Sequence, residues 1–293
     1  MIYDRITEAR ARLAVQADDE QRDERIDPRY AGRSWLQDGV APVAVVLLHG
    51  LSNAPPQYDR LAPELAARGH AVLVPRLPYH GYRDRMTDAL ADLRAADLEQ
   101  AAIEAITIAA LCGDRVVVLG ISVSGALAGW LAARTAIDTA IAVSPFCGLR
   151  GVPGGLNDAL GATLRLAPNR FSWWDPRAKE QQPPLHGYPR FATRALGESL
   201  LLSTTMREPG SATHARRVFV VLNQREPAVN NAFAVHRFGE LAADGIALTT
   251  VELQRAPPVH DIIEPEIPEA RTEFVYPRLV ELIESTGVVA TPS

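Results

Sequence analysis

Apolar residues in this chain come in short continuous runs separated by longer amphipathic stretches. Six runs stand out: Val43–Leu48, Ala71–Val74, Arg115–Leu119, Ile137–Val143, Arg217–Leu222 and Ile246–Leu253. Apolar runs this short, bounded by glycine, proline or polar residues, predict strands buried on both faces. The stretches between them have helical period. Gln57–Arg68 is stopped by Gly69, and Asp88–Leu111, with a break near Arg94, is ended by Gly113. Ser124–Ala133, Asn231–Ala243 and a last helix from 268 or 269 to Glu284, kinked at Pro277, complete the series. Ahead of it, Ile6, Leu13 and Val15 predict an amphipathic helix, followed by a charge-dense connector from Asp18 to Arg29. Arg33–Gly39 reads as a leading strand entering an Asp-Gly turn. Strands alternating with helices predict an α/β fold: a mostly parallel central sheet with helices on both faces.

The alternation stops between Phe146 and Ala215. That stretch has no clean strand and only short helical pieces, Asn157–Leu166 and Ala195–Thr205. It is too long for a plain connection. Residues 146–215 are therefore expected to form an inserted, mainly helical lid or cap, with residues 1–145 and 216–293 as the core.

Composition narrows the function. The 293 residues are 47% hydrophobic and 22% charged, ordinary for a globular protein. A net charge of −5 with the signs interspersed gives no basic block for nucleic acid or an anionic membrane. The N-terminus has no apolar signal region, and the longest apolar run, Ala41–Leu48, is too short to span a bilayer. A cytoplasmic protein without an integral membrane segment is expected. Cys112 and Cys147 lack metal-ligand spacing and suit a reducing compartment, although a single bridge between them stays open at this stage.

Four candidate pieces of chemistry fall at the carboxyl ends of predicted strands, where open α/β sheets place their sites. After Val116–Leu119 comes Gly120-Ile121-Ser122-Val123-Ser124-Gly125. A buried strand breaking into a helix at a serine flanked by small residues is a nucleophile elbow, here G-x-S-x-S. After Val43–Leu48 comes His49-Gly50-Leu51-Ser52-Asn53, whose turn can aim the Leu51 N–H at an oxyanion beside the Val123 N–H. Glu226 follows the Arg217–Leu222 strand, and His260, behind Pro257-Pro258, follows the last one. The chain order Ser122, Glu226, His260 belongs to one triad scaffold. Ser124 in the nucleophile's place shifts the frame into the helix. Asp261 adjoins His260 too closely to reach its ring nitrogen, and Asp175 reads as a lid anchor.

Taken together, these residues resemble the α/β-hydrolase-fold serine hydrolases, most of all the small carboxylesterases and monoacylglycerol-lipase-like enzymes. The likeness rests on Leu47-Leu48-His49-Gly50-Leu51, Pro78-Tyr79-His80-Gly81, the Ser122 elbow, the Glu226 loop and Val259-His260-Asp261. It covers roughly 41–145 and 216–285, with Ser124 in place of a glycine and Glu226 in place of the usual aspartate. The resemblance implies ester hydrolysis through an acyl-enzyme on Ser122, with His260 as base, Glu226 orienting it, and Leu51 and Val123 as the oxyanion hole. No metal or organic cofactor is needed. The partner is a small-molecule ester of short to medium chain or monoacylglycerol-like form, with His49, Ser52, Trp173 and Trp174 as candidate contacts. A thioesterase, an amidase or a non-catalytic binder on the same fold are the alternatives. Epoxide hydrolases and dehalogenases resemble this fold with aspartate in place of Ser122.

Overall fold

The computed structural model describes the backbone of residues 2–209, 211 and 213–286, and side chains from residue 5 onward. Its centre is a seven-stranded sheet in the order β1-β3-β2-β4-β5-β8-β9. The strands are β1 (Arg33–Trp35), β2 (Ala41–Leu48), β3 (Ala71–Val74), β4 (Gly113–Ile121), β5 (Thr139–Val143), β8 (Arg217–Asn223) and β9 (Ala247–Leu253). Only β1 runs antiparallel to its neighbour, pairing Arg33 with Val74; the other pairs are parallel.

Period-2 alternation explains why the strands read as unbroken apolar runs. Val43, Val45 and Leu47 of β2, with Val117 and Leu119 of β4, pack on one face against α2 (Leu61–Ala67) and α8 (Thr272–Glu284). Ala44, Val46 and Leu48, with Val118, pack on the other face. That face is covered by α1 (Ile2–Arg22), α3 (Ala95–Cys112), α4 (Val123–Ala132) and α7 (Asn231–Ala242). Each fully buried valine or leucine here stabilises the fold by about 1.5–3 kcal/mol relative to exposure.

The segment between β5 and β8 holds α5 (Gly154–Leu166), β6 (Phe171–Trp173), β7 (Arg190–Ala192) and α6 (Thr193–Thr204). The pair β6–β7 is antiparallel and forms a separate two-stranded sheet. These three-residue strands are too short to leave a periodic signal, so the expectation of no strand in this stretch does not hold.

Two other expectations shift. Continuous helix from Gln57 gives way to a 3-10 turn at Pro55–Tyr58, and α2 begins only at Leu61. Helix α1 runs through the charged connector to Arg22, with ion pairs Arg12–Glu8 and Arg22–Asp18 one turn apart. Its buried side is Ile6 and Ala9, whereas Val15 faces outward at 61% exposure. Cys112 and Cys147 are both free and buried. Among the described residues, no helix is long and apolar enough to cross a membrane.

Candidate active site

Ser122 sits at the junction of β4 and α4 with φ 58° and ψ −117°. That left-handed backbone costs a non-glycine residue about 1–3 kcal/mol and survives only where its surroundings enforce it. Here the Ser122 N–H donates to the Val143 carbonyl (2.9 Å), and the Phe146 and Ala126 amides donate to the Ser122 carbonyl (2.8 and 3.1 Å). The turn is too tight for a side chain at position 120, where a Cβ would lie 2.0 Å from the Ser124 carbonyl oxygen. At position 124 the serine is fully accommodated. It is buried, and its hydroxyl donates to the His49 carbonyl, tying α4 to the end of β2.

Ser122 Oγ lies 2.8 Å from His260 Nε2, and His260 Nδ1 lies 2.9 Å from Glu226 Oε1. The same Glu226 oxygen accepts from the Ala228 and Val229 amides at 2.9 and 3.3 Å. Burial opposes ionisation of Glu226, but its bond to His260, the imidazole charge and the two amides outweigh it and hold the carboxyl below its usual range. Burial likewise disfavours charge on His260. The Glu226 bond and charge, aided by Asp261, outweigh that and raise the imidazole above its ordinary value.

One buried amide, Asn223 at the end of β8, aligns the acid and histidine loops. Its Nδ2 donates to the Pro257 and Val259 carbonyls (2.8 and 3.0 Å), its Oδ1 accepts from Arg225 N–H (2.9 Å), and its carbonyl accepts from Glu226 N–H (3.2 Å). Arg150 braces the acid loop from outside by donating to the Glu226 carbonyl at 2.6 Å.

The loop after β2 is held with comparable density. Gln57 Oε1 accepts from the Gly50 N–H (3.0 Å). His49 Nε2 accepts from Leu77 N–H (3.1 Å), which leaves Nδ1–H to donate to the Gly50 carbonyl (3.1 Å). His80 Nε2 accepts from Ser52 N–H (3.3 Å) while Nδ1–H donates to the Pro78 carbonyl (2.7 Å). Burial keeps both rings neutral, His49 well below its ordinary value and His80 down to about 4. Among the described residues, the Leu51 N–H donates to no group of the protein. The Val123 N–H, first in α4, has no carbonyl one turn behind it.

The model of the alpha/beta hydrolase family matches residues 45–280. This chain belongs to that family. No curated protein sequence matches it. Among solved structures, the hydrolase is similar to one described with LipS and LipT, two metagenome-derived lipolytic enzymes, at 19% identity and TM-score 0.64, covering 88% of this chain and 98% of that one. It is also similar to the monoacylglycerol lipase of Paleococcus ferrophilus, at 18% identity and TM-score 0.61, covering 86% and 97%. The thioesterase domain from the curacin biosynthetic pathway matches at 15% identity and TM-score 0.52, covering 87% and 94%. At these identities the likeness is one of fold.

A cavity of about 250 Å³ opens beside Ser122 and His260 in the hydrolase. Leu51, Ile121 and Val259 line it from the ends of the central strands and their loops, and Trp174, Pro183 and Tyr188 from the segment between β5 and β8. Ser52 is where the two meet: its Oγ accepts from Trp174 Nε1 (2.7 Å) and its carbonyl from Tyr188 N–H (2.6 Å). Of the four residues expected to contact substrate, Ser52 and Trp174 line the cavity, and His49 and Trp173 do not. His49 is fully buried with both ring nitrogens occupied by backbone groups, and Trp173 lies in β6 paired with Arg190. Trp174 follows just past the end of β6 and is the one of the two tryptophans that lines the cavity. Asn53, Gln57 and Asp261 form a polar wall, for which the sequence offers one sign: amide and acid residues clustered at strand ends. Among the described residues, no group of three or more His, Cys, Asp or Glu is arranged to hold a metal ion.

Proposed function

We propose that this hydrolase cleaves carboxylic esters through an acyl-enzyme on Ser122. The observation that carries the reading is the continuous contact from Ser122 Oγ through His260 to the buried Glu226, at 2.8 and 2.9 Å, at the edge of a cavity. His260 Nε2 takes the Ser122 proton as Oγ attacks the ester carbonyl. Glu226 holds Nδ1 protonated, which fixes the tautomer and stabilises the imidazolium that forms. The oxyanion develops between the Leu51 and Val123 amides. The engagement of the neighbouring Gly50 N–H by Gln57 supports assigning Leu51 rather than Gly50 to this role. His260 then protonates the leaving alcohol, and water repeats the sequence on the acyl group.

The segment 146–215 acts as a cap over the core, giving Trp174, Pro183 and Tyr188 to the acyl or alcohol pocket. The cavity's size supports short esters, since it lies below the roughly 300–1,000 Å³ of clefts that enclose drug-sized ligands. Two free, buried thiols accord with a reducing, cytoplasmic setting. The test is a p-nitrophenyl ester assay on wild type and Ser122→Ala, with fluorophosphonate labelling alongside. Loss of about four orders of magnitude in kcat and loss of labelling are expected; near-native turnover in the variant would refute the assignment.

A further inference from the structure

We infer that the hydrolase selects compact esters that are neutral or cationic near the scissile bond and turns away anionic ones, with Asp261 as the discriminating residue. This rests on the ester-hydrolase reading of the Ser122 site. Asp261 follows the histidine directly and lines the same cavity. Its Oδ2 accepts from Gln57 Nε2 (2.6 Å) and Asn53 Nδ2 (3.0 Å), while its Oδ1 is buried and has no hydrogen-bond partner. A second acid stands behind it. Glu264 is fully buried, shares the Asn53 amide (3.1 Å) and bonds to His186 Nε2 (3.1 Å).

Glu264 is balanced from behind by His186, whereas Asp261 bonds only to the neutral amides of Gln57 and Asn53. None of the residues lining the cavity is a lysine or arginine. Arg85, behind the 180–187 stretch, uses its donors on the carbonyls of Gly187, Glu180, Gln182 and Pro184 (2.8–3.2 Å). A substrate carboxylate or phosphate brought here loses water, meets a carboxylate and gains no cation. Like charges about 6 Å apart at an effective permittivity of about 20 oppose binding by roughly a hundredfold. A neutral hydroxyl or amide, or an ammonium group, meets no such opposition.

The groups facing Asp261 are Glu264 and His260, the neutral amides of Asn53 and Gln57, and the hydroxyls of Tyr58 and Tyr276, with His186 beyond Glu264. Burial and the Glu264 charge push the Asp261 carboxyl up to about 7. Selection against anions therefore strengthens as pH rises through neutrality.

The experiment compares kcat/KM for meta-carbamoylphenyl, meta-carboxyphenyl and meta-trimethylammoniophenyl acetates, from about pH 6 to about pH 8, a span over which the substrate carboxylate stays ionised. Taking ratios cancels the titration of His260. At the upper pH the carbamoyl ester is expected to exceed the carboxylate by at least about tenfold, the ammonium ester to match or exceed the carbamoyl one, and the gap to narrow at the lower pH. Asp261→Asn, whose amide nitrogen can take the unpartnered Oδ1 position, should bring the carbamoyl-to-carboxylate ratio to within about threefold. A wild-type ratio near one, a ratio flat with pH, or one unmoved by Asp261→Asn overturns the inference. Should the variant fail to fold, the wild-type pH series decides alone. Absence of turnover on all three esters overturns the esterase reading itself.

Discussion

Replacing Glu226 by glutamine tests how the acid supports His260. Three donors, His260 Nδ1–H and the Ala228 and Val229 amides, converge on Oε1, while Oε2 is buried with no partner. A glutamine keeps all three bonds by placing its carbonyl oxygen at Oε1 and its NH2 where Oε2 stands. The imidazole tautomer is then preserved and only the negative charge is lost. Exchanging a charged for a neutral acceptor weakens a buried hydrogen bond by about 1–1.5 kcal/mol, or roughly 5- to 13-fold in kcat. That is far less than the about 10⁴-fold that follows when an amide forces the wrong tautomer. Since Glu226 raises the His260 pKa and the neutral ring is the base, the acidic limb of the pH–kcat/KM profile should move to lower pH in Glu226→Gln. Glu226→Ala, which leaves the two amides and the imidazole unpartnered, should lose substantially more. Steady-state rates of the three proteins on one p-nitrophenyl ester across pH read both effects. A glutamine variant as inactive as the alanine one, with an unmoved limb, would refute the reasoning.

Two further outcomes follow from buried hydrogen bonds. Ser124→Ala removes the donor to the His49 carbonyl, so kcat should fall by about five- to tenfold with little change in KM, and a transition-state-like boronate should lose affinity in parallel. His186, buried between Glu264 and Glu266, experiences burial that lowers its pKa and two carboxylate partners that more than reverse it, leaving it raised. A raised pKa contributes stability that is fully present below about 6.5 and fades as pH climbs through the folded value. The melting temperature of His186→Gln should thus fall furthest below wild type in acid, and the gap should close toward alkaline pH.

The fold was legible because its strands are buried on both faces and therefore unbroken in hydropathy, as in Val45-Val46-Leu47-Leu48. The convergence of Ser122, Glu226 and His260 was legible for a related reason. Parallel strands end on one edge, so residues just past β4, β8 and β9 become neighbours whatever their separation in sequence. What escaped reading was what no period encodes. Asn223 and Gln57 look like ordinary loop amides, and only the tertiary fold reveals that each bridges two site loops. His49 has the right neighbours for a substrate contact, but its two nitrogens are taken by the backbone groups of Leu77 and Gly50. Val15 fits the apolar stripe of α1 in composition while facing away from it, because at about 100° per residue it falls on the opposite side of the helix from Ile6, whereas Ala9 and Leu13 stay close to Ile6.

The guanidinium of Arg85 has a consequence for how the hydrolase can be divided. It belongs to the loop between β3 and α3, but its hydrogen bonds end on four carbonyls of the 180–187 stretch, whose regular structure is limited to the 3-10 turn at Lys179–Gln181. One side chain from the first half of the chain thus serves that stretch as a template. Excising 146–215, or grafting it onto another scaffold, would strand the arginine on one side and orphan carbonyls on the other. A chimaera whose junctions keep position 85 with 180–187 is therefore expected to retain activity, where one that separates them is expected to lose it.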